Sequence, residues 1–393
     1  MLDTLIERIK EYHDEGKLVY IYGAGTYGKN LCKTLMNKGV DIDGFVITSI
    51  GDAKECLGKR IYSIEQIDFS ISTFVIAMNE NNSRSAIKTL ERLGIYSDYY
   101  IDARPFIEHG GEKRGTSNGS IEITTKIGCS VDCRFCPQKL LLTRYFENDK
   151  KTESVMSLET FKKILDYFPK NYDISFGGMS EPFLNEKALD MIELACKRDR
   201  YVAVYTTLVG VTRSVAARLK ELPINWITIH VADKKKYAKI PTTEEYYEIL
   251  DLFLNTTKAN GEPLINMCNA QTTPDGKAFE ICRKYGYDIF TEMTDRAGNL
   301  NESDLIQNNL TEGKIICGNS HNGELNSYIV LPDGRVVLCC MDYGLKHVLG
   351  NINTDSINEI QDGEMIQYVR AGMDGDISKD ILCRSCSMAR MCF

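Results

Sequence analysis

The apolar run Leu18 to Tyr22 leads into Gly23-Ala-Gly25-Thr-Tyr-Gly28 and then a helical stretch, Lys29 to Asn37, which reads as strand, glycine turn and helix. Ile42 to Ile47 and Thr73 to Ala77 supply two more strands and Ile87 to Leu93 a further helix, giving a half-Rossmann βαβ unit that ends near Asp102. Glu108 to Ser120 is rich in glycine, charge and small polar residues with no apolar periodicity, so a boundary is placed there. Six strands follow: Ile121 to Thr125, Ile174 to Phe176, Val202 to Tyr205, Ile227 to Val231, Leu264 to Cys268 and Asp288 to Glu292. Helical patterns separate them at Leu158 to Phe168, Ala188 to Lys197, Val211 to Leu219, Glu244 to Phe253 and Lys277 to Tyr285, as a parallel βα repeat requires. Six units are too few to close an eight-stranded barrel, so the pattern predicts an open, partial (β/α)6 TIM-like barrel with its active face at the C-terminal strand ends. From about Lys314 the character changes again, because Cys317, Cys339, Cys340, Cys383, Cys386 and Cys392 crowd into the remaining chain. The expected α/β domains are therefore 1–107, 117–310 and a small cysteine-rich 311–393.

Composition narrows the function classes. Lys and Arg number 47 against 55 Asp and Glu, a formal charge of -8, so no basic field exists to collect nucleic-acid phosphates or anionic lipid. The first residues, MLDTLIERIKEYHDEG, form a charged amphipathic helix pattern, and no window approaches 18 consecutive apolar residues. The expectation is a soluble, cytoplasmic protein with neither a nucleic-acid nor a membrane partner. Fourteen cysteines, unevenly spread, do not form a disulfide framework and point to metal or iron-sulfur ligation.

Just after the first barrel strand stands Gly128-Cys129-Ser-Val-Asp-Cys133-Arg-Phe-Cys136-Pro137, a CxxxCxxC able to wrap one 4Fe-4S cubane. Three thiolates leave one iron without a protein ligand. A zinc knuckle is the rival, but zinc wants a fourth Cys or His nearby, and none lies between Cys136 and Cys196. With Phe135 before its last cysteine, this motif resembles that of the radical S-adenosylmethionine (SAM) superfamily, and the resemblance runs from about Ser120 onward. It implies that Cys129, Cys133 and Cys136 hold a cluster whose open iron binds SAM. Phe176-Gly177-Gly178-Met-Ser-Glu181-Pro182 resembles the family's glycine-glycine-glutamate motif, where glycines admit the ligand and a carboxylate accepts from its ammonium group. The resemblance also puts SAM contacts at Thr206 and Thr207, which otherwise read as a strand-end turn. Arg296, in Asp295-Arg296-Ala297-Gly298-Asn299, binds the SAM carboxylate, orients substrate, moves a proton or pairs with Asp295.

The cysteines beyond Lys314 resemble a SPASM or Twitch extension, implying one auxiliary 4Fe-4S cluster, most economically on Cys317, Cys339, Cys383 and Cys386 with Cys392 or Cys340 as substitutes. Zinc stays open there too. The N-terminal Gly23, Gly25 and Gly28 form a GxGxxG after a strand, a phosphate-binding arrangement, but Asp43, 20 residues beyond Gly23, precedes the second strand's core, and that strand ends at Thr48 instead of at a carboxylate. The unit resembles half-Rossmann domains of polysaccharide and nucleotide-sugar metabolism. His230, with Asp233, is a candidate to bind a sugar hydroxyl or act as base; a lone strand histidine is also a common structural hydrogen-bonder. Cys268, if it faces the lumen, returns a hydrogen atom to a substrate radical and makes the enzyme an epimerase; as a buried thiol it is a small hydrophobe.

These expectations converge on an oxidoreductase or epimerase abstracting hydrogen from a small molecule: a carbohydrate, aminocyclitol or nucleotide-sugar. Its electrons would come from a flavodoxin or ferredoxin. The alternatives are side-chain modification of a peptide or protein, and a non-catalytic iron-sulfur electron carrier.

Overall fold

The computed structural model describes residues 2–48, 55–77, 86–87, 89–95, 100–102, 117–258, 261–291, 293–300, 312–318 and 325–391. The chain forms two compact units, Met1–Lys113 and Arg114–Phe393.

In the first unit, β1 (Leu18–Tyr22), β2 (Gly44–Ile47), β3 (Glu55–Cys56), β4 (Lys59–Ser63), β5 (Ser72–Ile76) and β6 (Tyr100–Asp102) form one sheet in the order β3-β4-β2-β1-β5-β6. All its pairings are parallel except the β3–β4 hairpin. Successive β1 side chains serve opposite faces. Val19 and Ile21 pack with Leu5 and Ile9 of α1 (Leu2–Asp14) and Leu35 of α2 (Thr26–Asn37), whereas Tyr20 and Tyr22 pack with Phe74, Ile76 and Leu90. Both faces are thus covered, which is how parallel sheets keep water from their backbone. The hydrophobic pattern missed β3, β4 and β6, because β3 and β6 are only two and three residues long and β4 opens on Lys59 and Arg60.

In the second unit, β7 (Gly119–Ile123), β8 (Tyr172–Phe176), β9 (Val202–Thr206), β10 (Trp226–His230), β11 (Met267–Asn269) and β12 (Ile289–Phe290) lie parallel in sequence order, a partial barrel. Helices α3 (Gln138–Tyr145), α4 (Leu158–Tyr167), α5 (Ala188–Lys197), α6 (Arg213–Leu219), α7 (Glu244–Asn255) and α8 (Gly276–Lys284) alternate with them. Four of these start on side-chain caps: Ser157, Thr212, Thr243 and Asp275 each accept from a backbone N–H of the first turn. Arg200, 5% exposed, closes the other end of α4 by donating to the Leu165 and Phe168 carbonyls at 2.7 Å. Ile121, Ile123, Ile174, Phe176, Val202, Val204, Ile227 and Ile229 belong to one core cluster. The alternate positions Glu122, Ser175 and Tyr205 line a lumen cavity of about 240 Å³.

The cysteine-rich region continues this sheet instead of standing apart. Of β13 (Ile315–Cys317), β14 (Ser327–Val330), β15 (Arg335–Val337) and β16 (Val348–Asn351), the last three extend it beyond β7, giving the order β12-β11-β10-β9-β8-β7-β14-β15-β16. β14 runs parallel to β7 with Ser327 opposite Ser120 and Val330 opposite Ile123. After α9 (Ile357–Asp362) and α10 (Glu364–Met373), β17 (Ala389–Met391) pairs antiparallel with β13, setting Cys317 opposite Ala389.

Candidate active site

A cavity of about 280 Å³ opens beyond the C-terminal strand ends, bounded by Cys129, Cys133, Cys136, Gly177, Gly178, Glu181, Thr206, Thr207, His230 and Arg296 among others. The cysteine loop leaves β7 through Gly128 at φ +88° and is pinned by two backbone bonds to the loop after β10, Arg134 N–H to the Tyr237 carbonyl and Lys239 N–H to the Val131 carbonyl, each 2.7 Å. Phe135 is buried with its ring edge-on to Tyr237, centroids 5.6 Å apart, so it fixes the loop from below its last cysteine. Burial and the neighbouring Cys136 and Cys129 push the Cys133 thiol up to about 12. Three crowded thiols of this kind ionise together only around compensating positive charge.

Glu181 is 5% exposed and accepts four hydrogen bonds: Thr206 Oγ1 at 2.8 Å and Phe183 N–H at 3.3 Å on one oxygen, Thr207 N–H and Oγ1 at 2.6 Å each on the other. Burial raises its pKa and these donors work against that rise. The threonines expected to touch SAM line the cavity and at the same time grip the carboxylate, so they also position Glu181. Gly178 has φ +60°, and a Cβ there would lie 2.5 Å from Thr124 Oγ1; its N–H donates to Glu122 Oε1 at 2.8 Å.

Arg296 and Ala297 both adopt positive φ, +53° and +56°, a costly pair of conformations that turns the guanidinium into the cavity. Burial opposes the Arg296 charge, but Tyr343, Cys136, Cys340 and Glu122 outweigh it and raise the pKa. Its Nε donates to the Phe135 carbonyl at 3.4 Å, and Asp295 is not among the groups that stabilise it. His230 lines the same cavity, and burial, then Arg296, lowers it to about 4 against a partial offset from Asn269. It is neutral at neutral pH, which suits hydrogen bonding to a hydroxyl better than general-base work. Asp233 does not assist it: its carboxylate accepts from the Tyr237 and Ala238 N–H groups, both at 3.1 Å.

Cys268 does not meet the condition for hydrogen-atom return. It is fully buried, and its thiol is hydrogen-bonded to Cys282 of α8, because residue 268 occupies the helix-facing phase of β11 while Asn269 faces His230. Cys340, in contrast, lines the cavity.

A second, smaller cavity of about 50 Å³ gathers Cys317, Cys339, Cys340, Cys383 and Cys386 under Leu325, Leu338 and Met388. Burial, then Cys317 and Cys386, pushes Cys383 up to about 12. Cys392 lies outside the described residues.

A profile of the radical SAM superfamily matches residues 123–268, and that of the iron-sulfur cluster-binding SPASM domain matches 317–387. The chain belongs to the radical SAM superfamily. Among solved structures, BtrN in complex with AdoMet and 2-DOIA is similar at 16% identity and a TM-score of 0.47, covering 68% of this chain and 92% of that one. Streptococcus suis SuiB bound to precursor peptide SuiA matches at 10% identity and 0.45, covering 90% and 83%. anSMEcpe with bound AdoMet and the Cp18Cys peptide matches at 14% and 0.42, covering 68% and 86%. No curated protein matches the sequence significantly.

Membership implies a 4Fe-4S cluster with SAM, and the SPASM domain implies auxiliary iron-sulfur ligation. The residues fit both groups. Cys129, Cys133 and Cys136 line the larger cavity and Cys317, Cys339, Cys383 and Cys386 the smaller, the all-thiol donor sets that iron-sulfur clusters take. Donors already point at the sulfurs: Gln138 Nε2 at Cys136 (3.3 Å), Glu181 N–H at Cys129 (3.5 Å) and Met388 N–H at Cys386 (3.4 Å). Such donors are what iron-bound thiolates accept. Among the described residues no helix is long and apolar enough to cross a membrane.

In the other unit, the glycine turn answers a packing need. A Cβ on Gly28 would sit 1.8 Å from the Gly23 carbonyl oxygen, so α2 could not approach the turn. Asp43 accepts from Val19 N–H at 2.7 Å with His13 Nε2 at 3.4 Å, so this carboxylate serves the unit's own structure. Of the cavity residues, Glu122, Gln138, Gln271 and Tyr343 escaped the sequence reading, and Cys340 was read only as a substitute auxiliary ligand. Only Glu122 left a signal, as the charged residue between Ile121 and Ile123.

Proposed function

We propose that this radical SAM enzyme abstracts a hydrogen atom from a polyhydroxylated small molecule, a carbohydrate, aminocyclitol or nucleotide-sugar, and oxidises or epimerises it. The carrying observation is the single cavity that brings the three loop thiols together with Glu181, neutral His230 and charged Arg296. The cluster and SAM, when bound, supply the electron and the 5'-deoxyadenosyl radical. Cys129, Cys133 and Cys136 ligate; Gly177 and Gly178 let backbone close on the ligand; Glu181, held rigid by Thr206 and Thr207, accepts from its ammonium group. Arg296 offers a fixed positive charge to a carboxylate or a developing oxyanion. His230 and Gln271 supply neutral hydrogen-bonding groups for substrate hydroxyls, which supports a polyol substrate. The SPASM-type thiol set, Cys317, Cys339, Cys383 and Cys386, is read as the holder of an electron acceptor, with a flavodoxin or ferredoxin as reductant and a cytoplasmic setting that keeps thiols reduced. For the N-terminal unit we retain nucleotide binding at the turn Gly23, Gly25 and Gly28, supported by the start of α2 at Gly25 without a side-chain cap.

The test is anaerobic reconstitution, dithionite and SAM, with 5'-deoxyadenosine assayed in the presence of aminocyclitols, nucleotide-sugars and peptides. Deoxyadenosine stimulated by a polyol, with stoichiometric oxidised or inverted product, supports the reading. Stimulation by peptides alone overturns its substrate half, and loss of no activity in Cys129→Ala, Cys133→Ala and Cys136→Ala overturns the rest.

A further inference from the structure

The residues after Cys339 reach from the smaller thiol cavity to the larger one. The Asp342 carboxylate fastens this loop by accepting from the Lys346 and His347 N–H groups at 2.8 and 2.7 Å, and Asn299 Nδ2 donates to the Met341 carbonyl at 2.8 Å. Tyr343, 3% exposed, is thereby held with its hydroxyl 3.4 Å from the sulfur of Cys136. A protonated Cys136 thiol donates to that hydroxyl. An iron-bound thiolate carries no proton, so at the same separation only the phenol can donate and the bond reverses. Gln138 Nε2, at 3.3 Å, already donates to the same sulfur.

Hydrogen bonds to cluster sulfurs stabilise the reduced, more negative state and raise the reduction potential. We propose that the Tyr343 hydroxyl, supplied by the cysteine-rich segment, donates to the Cys136 sulfur and sets the potential of the SAM-binding cluster. Tyr343 is a positioning residue for electrons, acting through Cys136. The inference rests on the proposed ligation by Cys129, Cys133 and Cys136. A cluster whose sulfur bonds to both Gln138 and Tyr343 takes an electron from a moderate donor more readily than one bonded to Gln138 alone.

The experiment is a potentiometric titration of the full, reconstituted protein followed by electron paramagnetic resonance, with and without SAM, in wild type, Tyr343→Phe and Tyr167→Phe. SAM alters the signal of the cluster it binds, which identifies that cluster beside the auxiliary one. Tyr343→Phe keeps the ring and removes only the donor. Its SAM-responsive cluster should show up to a tenfold lower ratio of reduced to oxidised form at fixed potential, about 59 mV more negative for a one-electron couple. Tyr167→Phe, which loses a half-buried hydroxyl bonded to the Asp355 carbonyl, should leave the potential unchanged. An unmoved potential in a Tyr343→Phe protein with full iron content overturns the inference, as does an equal shift in Tyr167→Phe. A SAM-responsive signal that survives Cys136→Ala instead overturns the ligation on which it rests.

Discussion

The two thiol sites of the second unit are built in opposite ways. Cys129, Cys133 and Cys136 sit in one short loop, so their approach is set by spacing and two backbone pins. Cys317, Cys339, Cys383 and Cys386 come from separate stretches and meet only because β13 pairs with β17 and the loop after β15 folds back. A local site can form before its surroundings; a dispersed one reports that the whole region has folded. Chemistry follows the same division, since the local loop faces a roomier cavity that also holds Glu181, His230 and Arg296, and the dispersed set a small cavity lined by Leu325, Leu338 and Met388.

The sharpest way to break this comparison is to remove one ligand from each site. Cys133→Ala should lower 5'-deoxyadenosine formation at least ~1,000-fold while about half the iron remains, whereas Cys383→Ala should lose the other half of the iron and keep substrate-free SAM cleavage. Iron assay and product chromatography on both variants decide it; equal losses of cleavage would mean the sites are not separable. A synthetic peptide covering residues 126–141 should also assemble a cluster anaerobically, visible by its charge-transfer absorption, and no single auxiliary segment should.

Smaller effects concern the walls. Glu181→Ala leaves four donors facing an empty space and should weaken SAM binding by about 10- to 100-fold, read by equilibrium dialysis, with cluster content unchanged. Gly178→Ala forces positive φ on a side chain against Thr124 and should cost about 1–3 kcal/mol of stability, measured by urea unfolding. The smallest is a pH slope. His347 is 1% exposed, accepts from Leu382 N–H at 3.2 Å, and is lowered to about 4 by burial and then by Lys346. Above the unfolded value near 6.5 neither state is protonated; as pH falls from there toward 4 only the unfolded chain takes up the proton, so stability declines. His347→Gln should flatten that decline, by at most about 3 kcal/mol over the window, in urea midpoints taken at successive pH values.

The barrel was legible because its strands bury apolar residues at every second position and its helices start at Ser157, Thr212, Thr243 and Asp275. The cysteine loop was legible as spacing. What spacing could not reveal was how strand phase orients a side chain. Cys268 and Asn269 are adjacent, yet one packs on Cys282 and the other faces His230. Nor could it reveal partners distant in sequence: Tyr343 stands 207 residues from Cys136, and nothing in its local context marks it. The merging of the cysteine-rich segment into the barrel sheet was hidden for the same reason, since β14 finds β7 through tertiary pairing alone.

That pairing also has a kinetic meaning. Ser120 and Ser327 hydroxyls meet at 3.0 Å across 207 residues, so the seam between β7 and β14 closes only after a long chain segment has been searched, and such non-local contacts form late. During synthesis at about 5–20 residues per second, the cysteine loop emerges well before its covering strand exists. An interval of roughly ten seconds or more therefore separates the appearance of the first three thiols from the closing of the seam beside them, and in that interval the loop is open to iron-sulfur delivery and equally open to oxygen.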